Sequence, residues 1–257
     1  MRRSAVNSRG TWLIEARGIV KRFGHVVALQ GIDFEVGHAE IVGLLGDNGA
    51  GKSTLIKVLS GYFQVDEGQL WWEGRSIRLR NPKDAMNLGI STVHQDLGIV
   101  DTVSIYRNVF LGREEMVRSP KGPIRLLQPS RARTEARLAL QNVGIEIESA
   151  DTSTAVLSGG ERQSIAIARA IHFEAKLLIM DEPCSALSLK ETTKVLTYME
   201  NAKKRGLSVI FITHNIHQVY PVADRLVILS HGKSLGSFAK SETTREGISE
   251  LIVQGIA

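Results

Sequence analysis

The chain has 257 residues, 43% of them hydrophobic, which suffices for one large domain or for a core with a subdomain. Residues 1–10 lack an apolar stretch and no uncharged apolar run is long enough to cross a bilayer, so we expect neither a secretion signal nor a transmembrane helix. The single cysteine, Cys184, excludes an intrachain disulfide and fits a reducing cytosol. The net charge of +5 is dispersed along the chain, which favours a solvated surface over a nucleic-acid partner.

The first third of the chain predicts strands joined by turns. TWLIEARGIVKRF and VVALQGIDFEV are the first two candidate strands. EIVGLLG is a third, and it runs through a glycine-rich loop into the helical pattern KSTLIKVLSG. GQLWWEG predicts a further strand that ends in a turn. The third strand and its helix therefore form a strand–loop–helix unit.

The rest of the chain divides into a helical part and an alternating part. Residues 98–174 have mostly helical periodicity, interrupted by a loop rich in Pro and Gly at 118–130 whose role the sequence leaves open. After residue 175, strands alternate with helices, which is typical of a mainly parallel sheet with both faces covered. We therefore predict a core of residues 11–97 and 175–257 with a helical subdomain inserted between them, preceded by a basic tail.

The stretch GDNGAGKST matches a phosphate-binding loop between an apolar strand and a helix. Its glycines allow the backbone N–H groups to surround a phosphate, and the helix presents its positive end. Lys52 is predicted to contact the β- and γ-phosphates, and the Ser53 hydroxyl to bind Mg²⁺. The alternative is a glycine-rich turn that matches by chance. The predicted nucleotide-binding residues are Gly46, Asp47, Asn48, Gly49, Ala50, Gly51, Lys52, Ser53 and Thr54.

A second motif, LLIMDEP, is an apolar strand that ends in two carboxylates. On an extended chain the side chains of Asp181 and Glu182 diverge, so one can hold Mg²⁺ while the other orients the attacking water. We predict that Asp181 binds the metal and that Glu182 acts as the general base or positions the attacking water. The alternative is a charged turn after a strand. The phosphate loop upstream favours the catalytic interpretation over this alternative.

A phosphate loop alone allows a kinase, a GTPase, a helicase or a transporter ATPase. LSGGERQ, between the phosphate loop and LLIMDEP, resembles the signature motif of ABC-type ATPases, and the resemblance runs from Leu13 to Gln254. It implies an α/β fold: a P-loop NTPase core of ABC-ATPase type with a mainly parallel sheet, an N-terminal antiparallel β subdomain and an inserted α-helical subdomain. It also implies ATP and Mg²⁺ as cofactors.

The resemblance assigns roles to three further positions. Phe23 stands where the family places an aromatic that stacks on adenine, against the alternative of a core phenylalanine. Gln95 matches the glutamine that touches Mg²⁺ and the attacking water, against a surface glutamine. His214 matches the switch histidine that contacts the γ-phosphate and supports Glu182, against a core histidine. The other histidines match nothing that demands catalysis.

Ser158, Gly159 and Gly160 open a helix whose N–H groups form an anion site. We expect this site to lie far from the chain's own phosphate loop. In the family two ATPase chains pack head to tail, so that each ATP lies between Lys52 of one copy and Ser158 of the other. The resemblance therefore implies a homodimer that acts on separate membrane permease subunits, at the cytoplasmic face of the inner membrane.

Several stretches resemble the ATPases of bacterial simple-sugar importers, the ribose, xylose and fructose group, among them FGHVVALQGIDFEV and STVHQDLGIVDTVSIYRNVFLGRE. The single ATPase domain resembles the fructose-type members. Sugar import with a periplasmic or extracellular sugar-binding protein is therefore expected. The alternatives are another cargo, such as an amino acid or an exported solute, a soluble ABC ATPase without transport, or a binding module with a dead site.

Two positions depart from the family pattern in DEPCSALS. Cys184 replaces a usual threonine, which exchanges one small side chain for another. Ser188 stands where many members have an aspartate that reaches across the dimer, so communication between subunits through this loop is in question.

Ser188→Asp is expected to leave ATP binding intact, because the resemblance places position 188 at the contact between subunits rather than in the phosphate loop. Equilibrium titration with a fluorescent ATP analogue measures this. A large loss of nucleotide affinity in the variant would contradict it.

Overall fold

The computed structural model describes residues 12–93, 98–114, 127–185 and 187–255. In these residues the strands are β1 Trp12–Phe23, β2 Val26–Gly37, β3 Ile41–Leu45, β4 Glu67–Trp72, β5 Arg75–Ile77, β6 Ile90–Val93, β7 Leu177–Asp181, β8 Ser208–Thr213, β9 Arg225–Ser230 and β10 Lys233–Ala239. The helices are α1 Lys52–Leu59, α2 Pro82–Asn87, α3 Ile105–Phe110, α4 Pro129–Gln141, α5 Gly159–His172, α6 Leu189–Lys204, α7 Ile216–Val219 and α8 Arg245–Gln254.

A six-stranded sheet forms the centre of the fold, in the order β10-β9-β3-β8-β7-β6. Every neighbouring pair from β9 to β6 is parallel, and only β10 runs antiparallel, against β9. Parallel strands need crossover connections, and helices supply them here. The predicted mainly parallel sheet is confirmed.

Both faces of this sheet are buried, as its apolar strands require. On β3, Ile41 and Leu45 join one apolar cluster, whereas Val42 and Leu44 join the cluster on the opposite face. This alternation follows from the two-residue period of a strand. The sheet is therefore the middle layer of three.

The first outer layer is a four-stranded antiparallel sheet, in the order β2-β1-β4-β5, which packs with α1 in one cluster. An ion pair ties it to the central sheet. Arg225 donates to both carboxylate oxygens of Glu40, at 2.7 and 3.0 Å, and to the Glu35 carbonyl at 2.7 Å. The predicted N-terminal antiparallel β subdomain is confirmed, and its position beside β3 is fixed by these contacts.

The other outer layer contains helices α3 to α8. The buried side chains of α3, α4 and α5 belong to the same apolar cluster as one face of the central sheet, so the helical segment shares its core with the sheet. The boundaries 98–174 stay a prediction, while residues 1–10 and most of 118–130 lie outside the described residues. None of the described helices combines the length and apolar character that a membrane span needs.

A buried asparagine organises the entry to the helical segment. Asn108, fully buried in α3, accepts from the Val100 N–H at 2.8 Å and donates to the Val100 carbonyl at 3.0 Å and to the Thr154 hydroxyl at 3.1 Å. Thr154 in turn donates to the Val100 carbonyl at 3.0 Å. This network joins the loop before α3 to the short 3₁₀ helix Thr154–Val156, which leads directly into the signature motif.

Asn108→Ala is expected to lower the free energy of unfolding by about 2–3 kcal/mol, because the Val100 N–H loses its partner and the fully buried Asn108 side chain leaves a cavity. Urea unfolding followed by circular dichroism measures the loss. Asn142→Ala, at the exposed end of α4, is the matched control and should change stability by less than about 0.5 kcal/mol. Equal losses in the two variants would contradict a structural role for the network.

Candidate active site

Three neighbouring parallel strands end at one edge of the central sheet, and each is followed by predicted site residues. The phosphate loop follows β3, Glu182 follows β7, and His214 follows β8, which lies between the other two. Because carboxyl ends of parallel strands share one edge, residues far apart in sequence meet there. The motifs identified separately in the sequence therefore form one site.

The phosphate loop is packed so closely that glycine is required at two of its positions. A Cβ on Gly46 would lie 2.3 Å from the Leu229 carbonyl oxygen, and one on Gly51 would lie 2.9 Å from that of Ala28. Gly51 also has a φ of +100°, which is strained for other residues. The loop is thus held between β2 and the end of β9 by direct contact of backbone with backbone.

The N-terminus of α1 is open to an anion. It has no side-chain cap hydrogen bond and no acidic residue in its first turn. The Lys52 Nζ meanwhile donates to the carbonyl oxygens of Gly46 at 2.7 Å and Asp47 at 3.0 Å. Burial lowers the pKa of Lys52, and the negative charges of Glu182 and Asp181 oppose that shift. Free N–H groups and a buried ammonium group are what a phosphate needs.

A pocket of about 470 Å³ lies above this helix end. Its lining contains most of the predicted nucleotide residues together with the start of β2 and the turn between β9 and β10: residues 26–28, Gln30, residues 48–54, His231 and Gly232. Phe23 is not among them. Its ring packs edge-to-face on Phe63, with centroids 5.1 Å apart, and it is 42% exposed, so it is not a core phenylalanine. Stacking on adenine stays a prediction.

The acidic pair differs from the expected geometry. β7 ends at Asp181, and Glu182 has a φ of +49°, so the expectation that both lie on extended backbone is wrong for Glu182. Left-handed backbone at a glutamate is strained and must be held by its surroundings. Here the Glu182 N–H donates to the Ile212 carbonyl of β8 at 3.0 Å, which fixes the turn.

The Glu182 carboxylate is clamped by residues at the end of β8. Its Oε2 accepts from the Thr213 hydroxyl at 3.0 Å, and its Oε1 accepts from the His214 N–H at 3.0 Å and lies 2.7 Å from His214 Nδ1. The side chain of Glu182 is 17% exposed and that of His214 is 62% exposed. His214 is therefore not a buried core histidine, and the structure brings the predicted pair into contact.

Two residues of this cluster, Thr213 and Gln218, were not predicted from the sequence. Thr213 contacts Glu182, and Gln218 lies with its Oε1 3.1 Å from the Thr213 hydroxyl and donates through Nε2 to the Cys184 carbonyl at 3.3 Å. Gln218 lies in α7, whereas His214 precedes that helix, so helical spacing from His214 gave no signal for Gln218. Its contacts join the β8 end to the loop after the acidic pair.

The donors for a metal ion are hard oxygens, as Mg²⁺ prefers. The exposed Ser53 hydroxyl lines the pocket, and the Asp181 carboxylate stands at the end of β7. Among the described residues, no group of three or more His, Cys, Asp or Glu forms a metal cage by itself. This donor set fits an ion that completes its coordination with phosphate oxygens. Gln95, the other predicted ligand, lies outside the described residues.

Ser158, Gly159 and Gly160 begin α5, as predicted, but none of them lines the phosphate-loop pocket. Ser158 forms a capping box with Glu161: the Ser158 N–H donates to Glu161 Oε2 at 2.8 Å, and the Glu161 N–H donates to Ser158 Oγ at 3.3 Å. A Cβ on Gly159 would lie 2.6 Å from Leu187, so this glycine also allows close packing against the segment before α6.

The two departures from the family pattern have clear structural roles. Cys184 is buried, and burial raises the pKa of its thiol to about 11, so the thiol stays protonated and unreactive at neutral pH. Ser188 is the N-cap of α6 and forms a capping box with Glu191. A serine at this position therefore stabilises the helix that follows the acidic pair.

Comparisons with known proteins agree with this geometry. The family model described as ABC transporter matches residues 29–185. The chain is 45% identical over 240 residues to the xylose/arabinose import ATP-binding protein of Sulfolobus acidocaldarius, with 93% of each chain covered. It is 42% identical over 227 residues to the fructose import ATP-binding protein of Rhizobium meliloti, covering 87% of this chain and 86% of that protein.

The fold is that of a solved ATP-binding cassette of an ABC transporter in its ADP conformation. The TM-score is 0.81 at 23% identity, covering 94% of this chain and 98% of that chain. The matched family region contains the phosphate loop, the signature motif and the acidic pair, so the resemblance to ABC-type ATPases is confirmed. The chain belongs to the ABC transporter family, as one of its ATP-hydrolysing, ATP-binding subunits.

Proposed function

We propose that this chain powers the import of a simple sugar by binding and hydrolysing ATP at the edge of its central sheet. The observation that carries the proposal is the clamped Glu182 carboxylate, which shares that edge with an uncapped phosphate loop. Relatives named for xylose/arabinose and fructose import support the class of cargo.

Each of these residues has a separate role in ATP hydrolysis. Lys52 exchanges its bonds to the Gly46 and Asp47 carbonyls for phosphate oxygens, which replaces two neutral acceptors by charged ones. Mg²⁺, held by Ser53 and Asp181, would neutralise developing charge on the phosphates. Glu182 orients and deprotonates the attacking water, while Thr213 and His214 hold its carboxylate in place.

The proposal requires a second copy of the chain. The signature residues lie outside the chain's own pocket, so a phosphate bound there has no contact with them. In a head-to-tail homodimer, the α5 N-terminus of one copy faces the pocket of the other and completes it. This gives a direct physical reason for dimerisation by ATP.

A cleft of about 260 Å³ between the core and the helical segment is suited to a permease segment. Exposed Met86 and Tyr62 line it beside Arg169, whose guanidinium donates to the carbonyls of Gly98 at 3.3 Å and Leu111 at 3.5 Å. Burial and the nearby positive charge of Arg113 lower the pKa of Arg169. Apolar walls with two guanidinium groups favour an amphipathic permease segment that carries an acidic residue. Binding of such a segment would place the subunit on the cytoplasmic face of the membrane.

Glu182→Gln is expected to reduce ATP hydrolysis by about 10²-fold or more, since the amide cannot accept a proton. ATP binding should survive, and ATP should trap a dimer that sizing chromatography detects. Glu250→Gln, an exposed change on α8, is the control and should behave as the parent. A Glu182→Gln variant that stays monomeric with ATP and hydrolyses normally would overturn the assignment.

Met86→Asp is expected to abolish binding to the permease and sugar uptake, because a charge replaces an apolar wall of the cleft. ATP-driven dimerisation of the isolated subunit should not change. Asn87→Asp adds the same charge at the next residue, outside the cleft lining, and should retain uptake in membranes that contain the permease. Normal uptake by Met86→Asp would exclude this cleft as the permease site.

A further inference from the structure

The N-termini of α5 and α6 meet at the signature motif. A Cβ on Gly160 would lie only 3.1 Å from the Cβ of Glu191, in the first turn of α6. Each helix has its own capping box, with Glu161 in α5 and Glu191 in α6. Two positive helix ends and two carboxylates therefore crowd one small region.

Glu191 contacts both helix ends. Its Oε2 accepts from the Ser188 hydroxyl at 2.7 Å and from the Ser188 N–H at 3.0 Å, and its Oε1 accepts from the Gly160 N–H at 3.5 Å. Donation by the Ser188 hydroxyl, and then by the N–H groups of Ser188 and Gly160, lowers the pKa of Glu191 to about 2. The signature helix thus has an anion of its own chain at its N-terminus.

The loop that Glu191 stabilises leads back to the catalytic carboxylate. The Cys184 carbonyl in this loop accepts from Gln218 at 3.3 Å, Gln218 lies 3.1 Å from the Thr213 hydroxyl, and Thr213 holds Glu182. The loop between the acidic pair and α6 therefore contacts Glu191 through Ser188, and it is linked to Glu182 through Gln218 and Thr213.

We propose that Glu191 is a positioning residue whose carboxylate holds the N-terminus of the signature helix until the partner's ATP arrives, and links that helix to the loop beside Glu182. This inference rests on the proposed two-chain site. Two anions compete for one set of N–H groups, so an arriving phosphate repels Glu191 away from Gly160 and towards Ser188. ATP bound at the signature motif of one subunit is then sensed at that subunit's Glu182, which acts on the other ATP.

The chemistry of Ser188 suits this role. Its hydroxyl donates to Glu191, whereas an ionised aspartate at the same position has no proton to donate. In this chain the contact between signature helix and loop is therefore made within one subunit, through Ser188 and Glu191.

The test compares ATP-driven dimerisation of the full chain in a Glu182→Gln background, where hydrolysis does not deplete ATP. Glu191→Gln keeps an amide that can cap α6 but removes the competing charge. It should lower the ATP concentration for half-maximal dimer by about two- to fivefold, the size of effect of one charge at a helix N-terminus. The shift should shrink at high salt, as a charge effect does and a loss of packing does not.

Glu200→Gln is the matched control, with the same change in charge on an exposed position of α6 far from its N-terminus. Ser188→Ala is the second variant: it releases Glu191 from its donor and should raise the half-maximal ATP concentration, but only while Glu191 is present. The inference is overturned if Glu191→Gln and Glu200→Gln have the same half-maximal ATP concentration for dimerisation. It is also overturned if Ser188→Ala shifts that concentration equally with Glu191 and with Gln at position 191. If the Glu182→Gln parent forms no dimer with ATP, the proposed function itself fails.

Discussion

Backbone packed directly on backbone around the phosphate loop is the constraint on which the site depends. Gly46 contacts the Leu229 carbonyl, Gly51 contacts that of Ala28, and the Gly232 N–H donates to the Ala50 carbonyl at 3.0 Å. The loop is therefore held by β2, by β9 and the turn after it, and by its own Lys52 side chain. This arrangement leaves the first N–H groups of α1 free, which gives a phosphate fixed donors without reorganisation.

The electrostatics of the helix ends support the proposed division of the ATP site between two chains. The α1 N-terminus has neither a side-chain cap nor an acidic residue in its first turn, whereas the α5 N-terminus has a capping box of Ser158 and Glu161 and is approached by Glu191. In the proposed function, a nucleotide phosphate therefore binds first at α1. In the proposed dimer, the signature helix adds its donors when the partner chain brings a phosphate close enough to displace the carboxylates.

Local patterns allowed the elements and motifs to be predicted, because period-two strands and a glycine-rich loop are visible in the sequence itself. The strand-end clustering of Lys52, Glu182 and His214 follows from parallel topology, so it was predictable once the motifs were placed. The left-handed backbone of Glu182 was not predictable from the sequence, because β8 imposes it through the Ile212 carbonyl. Contacts such as Gln218 with Cys184 depend on how separate elements pack, and no single-sequence pattern encodes them.

The shared core constrains the proposed transmission of motion from the nucleotide to the permease. Helices α3, α4 and α5 bury their apolar side chains in the same cluster as the central sheet, so they move as a packed body rather than as a loose appendage. Asn108, in α3, joins the loop before that helix to the segment before Ser158, and the residues that follow α3 line the proposed permease cleft. In the proposed dimer, a displacement of the signature helix by the partner's ATP is therefore expected to change the shape of that cleft.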